Sequence, residues 1–514
     1  MRGGNNFSEL SLEKKIGQMF MLGFQGKKLS DGFKDFVNKA NIGFIILFSR
    51  NFESPEQLIT LTNEIHSLGD IQPMIFTDQE GGTVCQFGEY LATYVSPMGI
   101  AVTGKPENAF KAGRGIGNDL KAVGIDGNIA PVVDVNLNKD NPIIGIRAFS
   151  DDPEEVIEYA GEFLRGLHSA EVAAVLKHFP GHGRTIEDSH SSLPMVDVSL
   201  DILKESDLLP YYELSDRTDF IMSAHVNFEK IDKNNIPATF SPVFKKILRE
   251  ETGFDGVYMT DCLEMSAIKN NFSAEEIIEG AISGGADVLV SSGYKKDFEF
   301  QKSLYFKLFD LVKKNKISRE RIEFSYERIL RVKKKFSNLL ERKFIKNTPK
   351  LRANYEEEKK IAKEAILVVQ RDNLKKLPIS SDRSVGIIEW EKAPSTIPIS
   401  EARKKSFLYE IGEKYFKKVE LLLLPLIDKL PEKIDSFLHS FDEIIVATYS
   451  RYSEAEKIQG KAVREILKRR KDAIIVSTGN PYDIRQFPDA DEYICTFGFR
   501  KVQIEALFET LLSI

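Results

Sequence analysis

The chain has 514 residues, 42% of them hydrophobic and 29% charged, an ordinary globular composition with material for a large core. Collagen-like, mucin-like and wholly disordered chains are excluded. The 71 Lys and Arg against 77 Asp and Glu leave a net charge of −6, which offers no basic footprint for nucleic acid or anionic lipid.

Three cysteines, Cys85, Cys262 and Cys495, cannot build a disulfide framework. The opening MRGGNNFSELSLEKK has no apolar core of a signal peptide. The stretch 419–427, interrupted by Pro425, is too short to span a membrane. The expectation is a soluble cytoplasmic protein, monomer or homodimer, with no membrane or nucleic-acid partner.

Short β-rich apolar runs occur at 17–24, 43–48, 74–77, 129–133, 172–176, 219–224, 256–260 and 286–291, most followed by a helical pattern. Near-continuous apolar strands alternating with helices predict a parallel sheet covered on both faces. Eight of them predict closure into a (β/α)8 TIM-like barrel. Between the third and fourth runs lies a long insertion containing a helical pattern at 108–123. Residues 302–346 are rich in Lys, Arg and Glu. Their apolar residues Ile322, Tyr326, Ile329 and Leu330 fall at helical spacing, so they predict packed helices with a solvated face.

The polar stretch 346–360 (KNTPKLRANYEEEKK) is the expected linker. Six further strand runs follow, at 365–369, 385–389, 420–424, 443–448, 473–477 and 493–496. They predict a doubly wound αβα sandwich. The expected division is a catalytic barrel over 1–345, the linker over 346–360 and the sandwich over 361–514.

Barrel chemistry collects at the C-terminal ends of the strands. There the sequence offers Asp78 and Glu80, then Asp134 and Arg147, then Lys177 and His178, then His225, and finally Asp261. From position alone, Asp261 is either a mouth carboxylate or a helix N-cap. After His178 comes PGHGRTIEDSHSSLP, whose glycines at 181 and 183 allow unusual backbone angles. Asp188 and His190, two apart, share a side in an extended segment. A carboxylate beside an imidazole fixes its tautomer and favours its protonated form. The spacing of His178, His182 and His190 matches no zinc signature. GRGIGN at 113–118 has Asn118 at the third glycine position and no strand leading in, so it is not a dinucleotide fingerprint. No metal or cofactor is expected.

KHFPGHGRTIEDSHSSLP at 177–194 resembles the signature of glycoside hydrolase family 3, in its bacterial β-N-acetylglucosaminidase branch. The segments 11–26, TDQEGG at 77–82, IAPVVDVN at 129–136, IRAFSDDPE at 146–154 and MTDCLEM at 259–265 are similar to its other landmarks, in the same order. The segment 479–499 resembles the second domain of two-domain members. The resemblance implies a barrel followed by an αβα sandwich, and retaining hydrolysis of a terminal N-acetylglucosamine from cell-wall or chitin fragments. It implies Asp261 as nucleophile, His190 as acid/base and Asp188 as its partner. Asp78, Arg147, Lys177 and His178 match sugar-binding positions, and Gln86 and His225 are further candidates. Where the family carries arginines, this chain has Thr83 and Gln86, and Gln86 lacks the charge and the bidentate fork. A phosphorylase or β-glucosidase of the same fold is the alternative. A metal-dependent hydrolase and a non-catalytic sugar-binding protein are further readings.

Overall fold

The computed structural model describes residues 10–187, 193–294, 297–336, 344–370, 377–391, 406–426, 430–449 and 454–513. Eight parallel strands form the first sheet: β1 (Phe20–Leu22), β2 (Phe44–Leu47), β3 (Met74–Thr77), β6 (Gly127–Asn128), β7 (Ala173–Phe179), β8 (Phe220–Ser223), β9 (Val257–Met259) and β10 (Leu289–Ser291). Their order is β10-β1-β2-β3-β6-β7-β8-β9. A parallel bridge between Met259 and Val288, with Thr260 N–H donating to the Val288 carbonyl at 3.0 Å, joins the two ends into a barrel. Every residue of these strands is buried, as a sheet with helices outside and side chains filling the inside requires.

The helices begin where the sequence caps them. Ser11, Ser30 and Ser54 accept the N–H of Lys14, Phe33 and Gln57. Ser273 and Glu276 form a reciprocal capping box. Within 302–346 the described helices are Phe298–Lys313 and Arg319–Phe336, and Ile322, Tyr326, Ile329 and Leu330 are buried as expected. The fourth strand differs from expectation: it lies at 127–128 rather than 129–133. Pro131 has no N–H to give the ladder, so beyond Asn128 the regular strand gives way to a bridge from Val132 to Lys177 and to single backbone bonds such as Val175 N–H to the Ala130 carbonyl at 3.0 Å. A hairpin of β4 (Gln79–Gly81) and β5 (Val84–Cys85), which the apolar pattern did not reveal, follows β3.

The second sheet holds β11 (Leu367–Gln370), β12 (Ser384–Trp390), β13 (Lys418–Leu424), β14 (Glu443–Thr448), β15 (Ile474–Ser477) and β16 (Glu492–Cys495). Its order is β11-β16-β15-β14-β12-β13, parallel except for β11 against β16. Alternate residues serve opposite faces. Ile387, Ile445 and Ile474 pack with Leu408, Leu507 and Phe508, whereas Ile388, Val446 and Ile475 pack with Val463, Ile466 and Phe487. Helices thus cover both faces, giving the αβα sandwich.

The sandwich meets the barrel on its β4–β5 side. The fully buried Arg500 donates Nη2 to the Cys85 carbonyl at 3.1 Å, and Gln503 Nε2 donates to the Thr93 carbonyl at 3.1 Å. No helix among the described residues is long and apolar enough to cross a membrane.

Candidate active site

The C-terminal strand ends deliver one charged network. Asp78 follows β3, Glu80 lies in β4, and Lys177 and His178 lie in β7. Lys177 Nζ stands 2.7 Å from Asp78 Oδ1 and 2.6 Å from Glu80 Oε1. Glu80 also takes a two-pronged bond from Arg147, with Nε to Oε2 and Nη2 to Oε1 both at 2.8 Å. Arg147 Nη1 donates to the Ile143 carbonyl at 3.2 Å.

Burial opposes the Glu80 carboxylate, but the charges of Arg147 and Lys177 outweigh it and hold its pKa down to about 2. Burial likewise opposes the Lys177 ammonium, and Asp78 and Glu80 outweigh it and raise its pKa. Both groups are therefore charged at neutral pH.

A second network starts from Asp134, whose side chain is wholly buried. Its Oδ2 accepts from His178 Nδ1 at 2.7 Å and His178 N at 3.3 Å, and its Oδ1 accepts from His182 N at 2.6 Å. Burial pushes this carboxyl up, yet the imidazole of His178 and the donors of His182 hold it below its ordinary value. His182 is pushed down to about 4, by burial first and by His178 second. Its Nδ1 lies 2.8 Å from Thr185 Oγ1.

Asp261 follows β9 and is half-buried. Its N–H donates to Ser223 Oγ at 3.2 Å, and its Oδ1 accepts the Cys262 N–H at 2.6 Å. The charge of Asp261 is felt by His182, so nucleophile candidate and Asp134 network share one mouth.

His225 is turned inward. Its Nδ1 lies 2.8 Å from Thr239 Oγ1 and its Nε2 3.2 Å from the Cys262 carbonyl, so it braces the backbone beside Asp261. Gln86 is buried, accepting the Ser49 N–H at 3.2 Å. Among the described residues its Nε2 meets no acceptor. Asp188 and His190 lie outside the described residues. The loop leading to them is held close: a Cβ on Gly183 would stand 1.7 Å from the Val135 carbonyl oxygen, so no larger residue fits.

Strand-end position offered Glu80 and Asp134 but assigned neither of them a role. The available signal was a carboxylate inside an otherwise apolar strand end, in TDQEGG and in IAPVVDVN. The sandwich borders the same region: Thr83, Asn141, Ile143, Tyr449 and Asn480 line a shared cleft.

Residues 11–332 match the family described as "Glycosyl hydrolase family 3 N terminal domain". The chain is 31% identical over 367 residues to "Beta-hexosaminidase A" of Pseudoalteromonas piscicida, covering 63% of this chain and 61% of that protein. It is 36% identical over 278 residues to a "Beta-hexosaminidase" of Alkalilimnicola ehrlichii, covering 52% of this chain and 79% of that one. The solved glycoside hydrolase family 3 beta-N-acetylglucosaminidase of Paenibacillus sp. superposes with a TM-score of 0.88 at 29% identity, over 98% of this chain and 97% of that chain. The chain spans less than two thirds of the Pseudoalteromonas protein but nearly all of the Paenibacillus structure. With well over half its length matched, strand ends and all, this chain belongs to glycosyl hydrolase family 3.

Proposed function

We propose that the protein is a retaining exo-β-N-acetylglucosaminidase, a glycoside hydrolase of the β-N-acetylhexosaminidase type. It releases terminal N-acetylglucosamine from cell-wall or chitin-derived oligosaccharides in the cytoplasm. The observation that carries this reading is Asp261, a half-buried carboxylate at the mouth beside the Asp134–His178–His182 network. The names of the relatives support the sugar.

In the first step an oxygen of Asp261 attacks the anomeric carbon as the bond to the leaving oxygen breaks. His190, oriented by Asp188, gives that oxygen its proton. The neutral imidazole then takes a proton from water, whose oxygen displaces Asp261 and releases the sugar with retained configuration. Asp78, Arg147, Lys177 and His178 grip the sugar hydroxyls, Gln86 offers its amide N–H, and His225 holds the Cys262 carbonyl in place. Such grip lets binding energy position the reacting centre. The catalytic unit is taken as 1–345, joined through 346–360 to the sandwich over 361–514.

The test is a panel of 4-nitrophenyl glycosides with wild type and Asp261→Asn. N-acetylglucosaminide should be preferred over glucoside and xyloside, and the variant should lose turnover by ~10⁴-fold or more. Near-normal hydrolysis by Asp261→Asn ends the reading. Sugar-1-phosphate formed only in phosphate buffer would make the enzyme a phosphorylase. Activity lost in EDTA would point to a metal-dependent hydrolase, and sugar binding without any product to a non-catalytic protein.

A further inference from the structure

Asp134 has no part in the steps above, yet it receives three N–H donors inside the barrel mouth. The donors come from both sides of the 179–181 turn. His178 belongs to β7, and His182 opens the loop that runs on toward Asp188 and His190. The Asp134 segment is itself fastened to β7, because Val133 N–H donates to the Lys177 carbonyl at 2.8 Å. The loop root is fastened a second time: Asn141 Nδ2 donates to the His182 carbonyl at 2.8 Å and Asn138 N–H to the Gly183 carbonyl at 3.1 Å. An asparagine at 134 would turn an NH₂ toward one set of these donors. Only a carboxylate accepts on both oxygens.

We propose that Asp134 is a positioning residue that couples sugar binding to proton transfer. It holds His178 with its Nδ1 proton inward, leaving Nε2 for a sugar hydroxyl. Through the His182 N–H it also fixes the backbone eight residues before His190 in the sequence. This rests on the retaining-glycosidase reading.

The test compares wild type, Asp134→Asn, Asp134→Glu, His178→Ala and Asp261→Asn. The substrates are 4-nitrophenyl and methyl N-acetyl-β-glucosaminide, the first with a good leaving group and the second with a poor one. Asp134→Asn should raise KM about 10-fold on both, and should lower kcat a further 10- to 100-fold on the methyl glycoside alone. Asp134→Glu should recover part of both effects. His178→Ala should reproduce the KM change without the leaving-group dependence.

Kinetics for Asp134→Asn within twofold of wild type on both substrates overturn the proposal. So does a kcat loss independent of the leaving group. If Asp134→Asn does not fold, the imidazole ¹⁵N spectrum of the unaltered chain decides, with His178 assigned by its absence in His178→Ala. A proton on Nδ1 supports the proposal, and an unprotonated Nδ1 overturns it. An inactive Asp261→Asn beside a normal Asp134→Asn removes only the positioning role, whereas an active Asp261→Asn removes the glycosidase reading itself.

Discussion

Lys177 and Lys333 lie buried at opposite ends of the barrel, and their surroundings could hardly differ more. Lys177, at the mouth, has the carboxylates of Asp78 and Glu80 within 2.7 Å, and its pKa is raised. Lys333, from the helix Arg319–Phe336, plugs the floor. Its Nζ donates to Gln18 Oε1 at 2.8 Å and to the Gln72 carbonyl at 3.0 Å, and sits 4.9 Å from the centre of the Phe44 ring. Burial, only partly offset by Asp126, pushes it down to about 7. The mouth therefore keeps a cation ready for a polar ligand, while burial at the floor lowers the proton affinity of its lysine. Holding charge at one end and loosening it at the other fits a barrel whose chemistry is confined to its C-terminal face.

The comparison breaks most severely at the carboxylate that matches the mouth's charges. Glu80→Gln leaves Arg147 and Lys177 buried without their shared partner. Removing one member of a buried ionic group costs about 3–5 kcal/mol. Urea unfolding should record a loss of that order, and kcat/KM should fall with it. Wild-type stability in this variant would mean that Glu80 is not what holds the two cations. The pH dependence follows from the lowered pKa. The carboxylate's contribution is complete above about pH 4.5 and drains away as pH falls toward about 2. Acid unfolding of wild type should therefore be steeper than that of Glu80→Gln in this window.

Lys177→Met should have a smaller effect on folding, about 1–3 kcal/mol, because Glu80 keeps its two bonds from Arg147. Its main effect should be on the sugar, as a rise in KM of about 10-fold or more in steady-state assays. A variant with unchanged KM would remove Lys177 from the sugar-binding set.

Much of the fold was legible because burial wrote it into the pattern. Strands covered on both faces read as apolar runs, so the sites of β1–β3 and β7–β10 and all six strands of the sandwich could be found from the sequence. Two features were not. Pro131 sits in an apolar run that looks like a strand, but it cannot donate to a ladder, so β6 stops at Asn128. The β4–β5 hairpin is only a few residues long and is built around Gly81 and Gly82, both at positive φ, with no alternating pattern to betray it. At the site, strand-end position brought out Asp78, Lys177, His178 and Asp261. It could not rank Asp134 and Glu80, because what marks them is the number of donors they collect from distant segments. Nor could it tell that His225 turns inward to Thr239 and Cys262 rather than outward.

Lys333 was legible in another sense, since it extends the stripe of Ile322, Tyr326, Ile329 and Leu330 at helical spacing. A lysine on a buried stripe carries a penalty for its charge, and that penalty gives the smallest and cleanest test. Its ordinary pKa of 10.5 is lowered to about 7 in the fold, so between these values the unfolded chain holds more protons than the native one. Stability conferred by this group must then rise with pH across that window and level off below about pH 7, where both states are protonated. Lys333→Met lacks the titration but also abandons the Gln18 and Gln72 acceptors, so its stability relative to wild type has two opposed parts. At pH 9 wild type should be the more stable, because the neutral amine still donates both bonds. At pH 7 the difference should shrink or reverse, each tenfold change in proton affinity being worth about 1.4 kcal/mol. The range from pH 7.5 to 9 lies inside the window between the two lysine values. Urea unfolding of the two proteins at several pH values in that range reads the slope directly. Parallel curves would mean that Lys333 keeps its charge in the fold, and the contrast between the two ends of the barrel would vanish.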